Sequence, residues 1–428
     1  MRRAASWFGS GLLVVALGTG LPPPEIYAGP AQAVGLGGQA IAMGGAVAAS
    51  SADYAAMFYN PAGLAFAEGP TLGVGFVYGA PDLRISGETQ DVDPIRAFQV
   101  GGSLPLGSSK YLGRIALGVA AHIPTSTAIM LGASDPVQPH FVLYSIDPQR
   151  TAIYMGGSIR ILPSLSIGAG VSMLAGAEFN MSLSLMSSTF FTHQSPSKYV
   201  FDPIFGIKFK PTKSLALAAV YREAKSASLE PELKIFVGET QVLPTVTILN
   251  LYNYEPREVV LAGAYRFRER LTVELDVTWM DYSNYQASTP QYEFEEEVPE
   301  WVKTLMSMNN FPDPGFRDIF VPRLGTEFVL NKYFALRAGY YFQASPVPDQ
   351  RGITHYADAD KHVVSIGGGV NAFLPPKILE SPIYIDFVFQ AQILESRSVV
   401  KDDPDDPVGD YTIDGEIFLG GIFLKHVF

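Results

Sequence analysis

From Thr71 to the last residue, apolar and polar side chains trade places at every second position over stretch after stretch. That is the period of a β-strand whose two faces meet different surroundings. Between Leu271 and Trp279, the residues Thr272, Glu274, Asp276 and Thr278 share one parity, and Leu271, Val273, Leu275, Val277 and Trp279 the other. The final stretch, Tyr411 to Phe428, sets Phe418, Ile422, Leu424 and Phe428 on one face and closes on an aromatic. Strands that are greasy on one side and polar on the other fit an all-β, antiparallel, up-and-down barrel spanning a membrane, with the polar face toward the lumen. By the same parity Arg323, Glu327, Arg337, Asp386 and Gln390 point inward, since a charge facing lipid near the bilayer midplane costs about 2 to 4 kcal/mol.

The alternation predicts about fourteen strands, an even number that leaves both ends of the barrel on the periplasmic side. They fall near Thr71 to Ser86, Ile95 to Leu106, Tyr111 to Ile123, Thr151 to Leu162, Leu165 to Met186, Lys198 to Lys210, Ser214 to Val237, Tyr254 to Arg268, Leu271 to Tyr285, Ile319 to Leu330, Lys332 to Gln343, Lys361 to Leu374, Ile383 to Ser396 and Tyr411 to Phe428. Brief turns such as Pro163-Ser164, Pro211 to Lys213 and Glu269-Arg270 alternate with long connections such as Pro124 to Arg150, Gln286 to Asp318 and Ala344 to Asp360. Short turns on one side and long loops on the other are what such a barrel requires.

Composition narrows the alternatives. Hydrophobic residues make up 47% of the 428 positions and charged ones 17%, yet beyond the N-terminus no apolar run is long enough for a membrane helix. There is no cysteine, so disulfides, thiolate metal sites and thiol nucleophiles are excluded, and the net charge of −12 argues against a nucleic-acid partner. Arg2 and Arg3 followed by the apolar stretch Phe8 to Leu21 read as an export signal, residues 1–28, with cleavage after Ala28 favoured over Ala33. The six histidines are scattered, and no H-E-x-x-H, G-x-S-x-G, Walker or dinucleotide fingerprint is present, so the expectation is a protein that is not an enzyme and uses no cofactor or metal. The acidic run Lys401 to Asp406 lacks an EF-hand pattern and reads as a solvated loop.

Residues 29–68 break the pattern. From Gly35 to Phe66 the chain is rich in Gly and Ala without clean alternation, and contains Asn60-Pro61-Ala62-Gly63, where Pro61 stops a helix and Gly63 permits a turn. Too apolar for a free tail, this segment is expected inside the barrel formed by 69–428. Here the sequence resembles the FadL/TodX (OMPP1) family of outer-membrane transporters of long-chain fatty acids and other hydrophobic compounds, whose N-terminal hatch carries an NPA motif after a Gly-Ala element such as Met43-Gly44-Gly45-Ala46. The hairpin Phe209 to Arg222, the stretch Phe316 to Tyr340 with Ser345-Pro346-Val347-Pro348 after it, and Asp358 to Gly369 extend the likeness in patches over most of the chain.

The resemblance implies a plugged barrel of fourteen strands in the Gram-negative outer membrane. A lipophilic ligand would be captured in an apolar pocket, and hatch movement would release it sideways through a gap beside a kinked third strand. Asn60, Pro61, Ala62 and Gly63 match the hatch motif. Gly113 and Gly118 are candidates for the kink, because glycine packs poorly in a strand. Arg323 and Arg337 are candidates for a ligand headgroup, with a salt-bridge network to Glu327 and Asp386 as the alternative role. Trp301, Leu305, Met306 and Met308 form a stripe at approximately helical spacing that suits an adaptable capture surface. Expected partners are the ligand, outer-membrane lipid and lipopolysaccharide, and the barrel-assembly machinery through the C-terminal strand, with the protein monomeric. A non-selective porin-like or structural barrel of the same fold is the alternative.

Overall fold

The computed structural model describes residues 30–107, 114–125, 138–141, 143–144, 151–174, 179–185, 189–195, 200–229, 232–237, 240–241, 246–285, 291–294, 315–373, 381–402, 404 and 406–428. For 174–200, 226–253 and 291–294 only backbone is described. The predicted signal segment, Gly113 and the stripe Trp301, Leu305, Met306 and Met308 lie outside the described residues.

Fourteen strands form one closed antiparallel wall. They are β1 Thr71–Ile85, β2 Ile95–Pro105, β3 Ile115–Pro124, β4 Ala152–Leu162, β5 Leu165–Leu174, β6 Val200–Phe209, β7 Leu215–Arg222, β8 Arg257–Phe267, β9 Leu271–Asp281, β10 Ile319–Val329, β11 Phe334–Gln343, β12 Lys361–Ala372, β13 Ile383–Val399 and β14 Tyr411–Val427. Each pairs with its sequence neighbours, and β1 closes the ring against β14 over its full length, from Thr71↔Val427 to Ile85↔Ile413. Closure leaves the sheet without a free edge strand in lipid, where unsatisfied backbone groups are costly.

The side-chain parity read from the sequence holds in the wall. On β9, Thr272, Glu274, Asp276 and Thr278 are buried toward the lumen while Leu275 is 54% exposed outward. On β14, Phe418, Ile422 and Leu424 all face out, and Phe428 beyond it is 68% exposed.

Two expected strands were drawn too long. Leu165 to Met186 and Ser214 to Val237 each contain a wall strand that ends at Leu174 or Arg222, followed by separate strands that leave the wall. Phe179–Leu185 pairs with Thr189–Ser195, and Lys225–Leu229 and Glu232–Val237 pair with Val246–Glu255, as part of a second sheet. Alternation reports two faces but not the identity of the pairing partner, so a hairpin arm beyond the barrel reads like more wall. Pro256, which has no N–H to donate, separates Val246–Glu255 from β8.

At the end carrying the long loops, Tyr254, Tyr285, Phe316 and Tyr356 form a chain of rings with centroids 5.5, 4.8 and 5.9 Å apart. These rings and Val347 and Ala357 are buried in one apolar cluster. At the other end of the lumen stands the N-terminal segment: short helices α1 Pro30–Val34, α2 Gly38–Ala42 and α3 Ala56–Tyr59, then a 3-10 turn Pro61–Phe66. Its Ala, Leu and Met side chains are nearly all buried against inward-facing wall residues.

Candidate functional site

The N-terminal segment is bonded to the wall mainly through its own backbone. Ala49 N–H donates to Glu274 Oε1 at 2.6 Å and Ala48 N–H to Asp276 Oδ2 at 3.1 Å, both acceptors on β9. On the opposite wall Gln99 of β2 accepts from Gly37 N–H and donates to Gly35 O, each at 2.8 Å. Lys208 Nζ on β6 donates to Ser51 O at 2.9 Å. These inward polar side chains satisfy a segment with too little regular structure to satisfy itself.

Asn60, Pro61, Ala62 and Gly63 form the seat of this segment. Asn60 is fully buried, and its side chain caps the 3-10 turn by accepting from Ala62 N–H at 3.1 Å. Its Nδ2 donates to Ala48 O at 2.9 Å and to Ile207 O of β6 at 3.3 Å, so one amide joins turn, segment and wall. Pro61 takes the first position of the turn, where no N–H is needed. Ser166 Oγ on β5 donates to Ala62 O at 2.7 Å. Gly206 and Gly168 admit the motif, since a Cβ there would lie 2.1 Å from Asn60 Oδ1 and 2.3 Å from Ala62 N. Gly63 is equally constrained, with Ser51 O at 2.2 Å from the place of its missing Cβ.

Below the segment, toward the short turns, lies a vestibule of about 430 Å³ lined by Asp53, Tyr54, Glu327, Arg337, Asp386 and Lys425 among others. Arg337 is held by two carboxylates, Glu327 at 2.7 Å and Asp386 at 2.6 Å, and Gln39 of α2 donates to Glu327 at 3.1 Å. Lys425 pairs with Asp53 at 2.7 Å. Of the two roles open to Arg337 in the sequence, the geometry is that of the salt-bridge network.

Above the segment two adjoining small cavities, of about 50 and 20 Å³, share Gln32, Ala33, Met280 and Arg323. Ala31, Val34, Ile41, Phe58, Val260 and Tyr341 give the inner one apolar walls, and Pro81, Ile95, Leu143, Tyr144 and Ile417 do so for the outer one. At one side of the inner cavity Arg222 pairs with Glu258, donates to Phe58 O at 2.6 Å and lies 4.3 Å over the Phe58 ring. Gln32 donates to the same Glu258 at 2.5 Å. Arg323 sits 4.1 Å over the Tyr341 ring and donates to Gly44 O at 3.3 Å, with no ion pair among the described residues. Lys361 lines the outer cavity over the Tyr144 ring at 5.1 Å, likewise without an ion pair among the described residues. The cavities, which together make up the upper chamber, therefore offer greasy walls and a polar side on which Arg323 and Lys361 stand with Asp276 and the Arg222–Glu258 pair.

Gly118 does not bend the wall. β3 is paired residue by residue with β2, from Pro105↔Ala116 to Ala97↔Pro124, and with β4 from Ile115↔Ile159 to His122↔Ala152, without a register shift. The missing Cβ instead makes room for Leu64 and Met57 of the N-terminal segment, 2.8 and 3.0 Å from where it would stand. Sequence reasoning missed Gln32, Met280 and Lys361. Strand parity turns Met280 and Lys361 inward, but nothing in the alternation says that they meet in one cavity.

The family described as "Outer membrane protein transport protein (OMPP1/FadL/TodX)" matches residues 28–414. The chain is 27% identical over 398 residues to alkane uptake protein A of Marinobacter nauticus, covering 86% of this chain and 85% of that protein. It is 24% identical over 342 residues to the long-chain fatty acid transport protein of Salmonella typhi, covering 72% and 76%. Among solved structures, the toluene transporter TodX of Pseudomonas putida superposes with a TM-score of 0.59 at 15% identity, over 92% of this chain and 99% of that one. A FadL homologue of Pseudomonas aeruginosa gives 0.58 at 14% identity over 91% and 97%. These two superpositions establish the shared fold.

Proposed function

The chain belongs to the OMPP1/FadL/TodX family of outer-membrane transport proteins, and from that premise we propose that it takes up lipophilic molecules, alkanes or long-chain fatty acids, by passive transfer through its barrel. The observation that carries this reading is the pair of apolar-walled cavities between the aromatic cluster of the outer loops and the N-terminal segment. A long acyl chain gains roughly 0.8 kcal/mol for each CH₂ kept from water, so these apolar walls bind it better than a wet pore once movement of the N-terminal segment enlarges the cavities. In this reading residues 29–68 act as a hatch seated on Asn60 to Gly63, whose displacement opens the way out of the chamber, and the ligand leaves sideways into the membrane. Arg323 and Lys361 receive a carboxylate when the ligand has one, and Met280 and Tyr341 line the path of its tail. A porin-like barrel is the competing reading, and the packing of 30–67 within the lumen speaks against it.

The test is binding by the purified barrel of palmitate and hexadecane in detergent, alongside mass spectrometry of molecules that co-purify. Wild type should bind both. Replacing Arg323 and Lys361 together by Met should weaken palmitate roughly tenfold, the scale of one charge-assisted hydrogen bond, and leave hexadecane nearly unchanged. No binding of either ligand by wild type would refute uptake of lipophiles, and equal loss of both in the double variant would refute the headgroup role.

A further inference from the structure

The chain carries a net charge of −12, yet one half of its periplasmic mouth is basic. Short turns mark the periplasmic side of such a barrel. There Arg114 and the turns 160–165, 208–215 and 266–271 hold eight Lys or Arg and one carboxylate residue, Glu269. These positions belong to β3 through β8, which stand side by side in the wall. Strand parity turns Arg160, Lys208, Lys210 and Arg266 toward the lumen, because Ile161, Phe209 and Phe267 next to them are exposed on the outer wall. Lys208, Lys210 and Arg266 line the vestibule with Phe66, the last residue of the 3-10 turn.

Across the vestibule the cations are matched. On the β10 to β14 side Arg337 meets Glu327 and Asp386, and Lys425 meets Asp53. On the basic side Arg114, Arg160, Lys210 and Arg266 make no ion pair among the described residues. Arg160 donates only to a backbone oxygen, Ala65 O at 3.2 and 2.5 Å, and Arg266 only to Thr272 Oγ1 at 3.5 Å. Arg160, Lys210 and Lys208 crowd a single ring, at 4.6, 5.2 and 5.6 Å from the centre of Phe66. One aromatic face offsets part of one positive charge, not three. Burial, with the charges of Arg266 and Arg160, holds the Lys210 ammonium below its ordinary pKa. Like charges gathered without a carboxylate are complementary to an anion from outside the chain.

Direction and size choose the anion. The cations face the lumen, with the wall between them and the bilayer, so lipid headgroups do not reach them. A lone carboxylate or phosphate is too small: β3 to β8 are five strand spacings apart, an arc of roughly 24 Å at about 4.8 Å each. The N-terminal segment fills the lumen above, so approach is from the periplasm. We propose that this half of the mouth docks an acidic segment of a soluble periplasmic protein, with Lys210 and Arg266 as its principal contacts and Phe66 as an apolar floor. The docking site lies on the opposite side of the N-terminal segment from the upper cavities and does not depend on what the barrel carries.

The full-length barrel in nanodiscs of neutral lipid presents this mouth to solution. A fluorescein-labelled decaglutamate peptide should bind, read as anisotropy, and weaken as salt rises, whereas decaglutamine should not bind. Lys210→Gln with Arg266→Gln should weaken binding roughly tenfold, the scale of two solvent-reached ion pairs. Arg96→Gln with Arg351→Gln removes two charges at the other end of the barrel and should leave the affinity unchanged, and heat-resistant gel mobility shows that both variants are folded. A benzophenone on the peptide should label the turns 160–165, 208–215 or 266–271. A wild type without affinity for decaglutamate, a Lys210/Arg266 variant that binds as tightly as wild type, or labelling confined to the extracellular loops would overturn the docking site. Displacement of the peptide by inorganic phosphate at matched ionic strength would overturn it as well, by showing a site for a small oxyanion.

Discussion

The chamber above the N-terminal segment and the vestibule beneath it are built from the same strands, yet they treat their cations in opposite ways. Below, Arg337 is gripped by Glu327 and Asp386, and Lys425 by Asp53. Above, Arg323 and Lys361 lean on Tyr341 and Tyr144 and make no ion pair among the described residues. A buried cation with two carboxylates is structural, because removing either side strands a charge. A cation resting on an aromatic face keeps its donors for something else. Inward parity alone made Arg323 and Arg337 equivalent; the neighbours on adjacent strands separate them.

The largest effect should come from breaking the lower network. Arg337→Met removes the cation that bridges Glu327 and Asp386, a loss of about 3 to 5 kcal/mol. The temperature at which the barrel loses its compact gel mobility should fall sharply, and palmitate and hexadecane should be affected alike. Unchanged heat resistance with selective loss of palmitate would exchange the roles of the two regions.

Next in size is Asn60→Ala, which removes one acceptor and two donated bonds at the seat of the N-terminal segment. At about 1 kcal/mol for each bond, the cost is on the order of 3 kcal/mol, borne by the segment rather than the wall. Single-channel conductance in planar bilayers should rise through frequent openings while heat resistance stays near wild type. A variant as closed as wild type would show that Asn60 does not secure the segment.

The smallest effect is a pH dependence in the outer loops that cover the chamber. Burial pushes the Asp358 carboxyl up to about 6, against the hydrogen bond from Ser345 at 2.6 Å and the charges of Lys361 and Arg397. A folded-state value above the unfolded one means that the contribution to stability is full below about pH 4 and is lost as pH rises through about 6. Between pH 5 and pH 8 the loop 344–360 should open roughly tenfold more often, read as hydrogen exchange after division by intrinsic rates. Asp358→Asn should flatten the profile, and equal protection at both pH values in wild type would contradict the assignment.

The wall was legible because its physics is local. Lipid on one side and polar lumen on the other write a period of two into residues such as Leu271 to Trp279, and short turns mark the register. The Asn60 to Gly63 motif was legible as a turn, but its partners Ile207, Ser166 and Gly206 come from distant strands and could not be read from spacing. The excess length given to Leu165 to Met186 has the same origin, since alternation does not name the strand across the ladder.

The claim that the upper chamber holds the ligand is tested most directly by filling it. Met280 is buried on β9 and lines both cavities, so Met280→Trp places bulk where they join. With gel mobility showing an intact barrel, binding of palmitate and hexadecane should both fall roughly tenfold or more, the scale at which overpacking opposes a ligand. Undiminished binding of either ligand would contradict the placement of the ligand in this chamber.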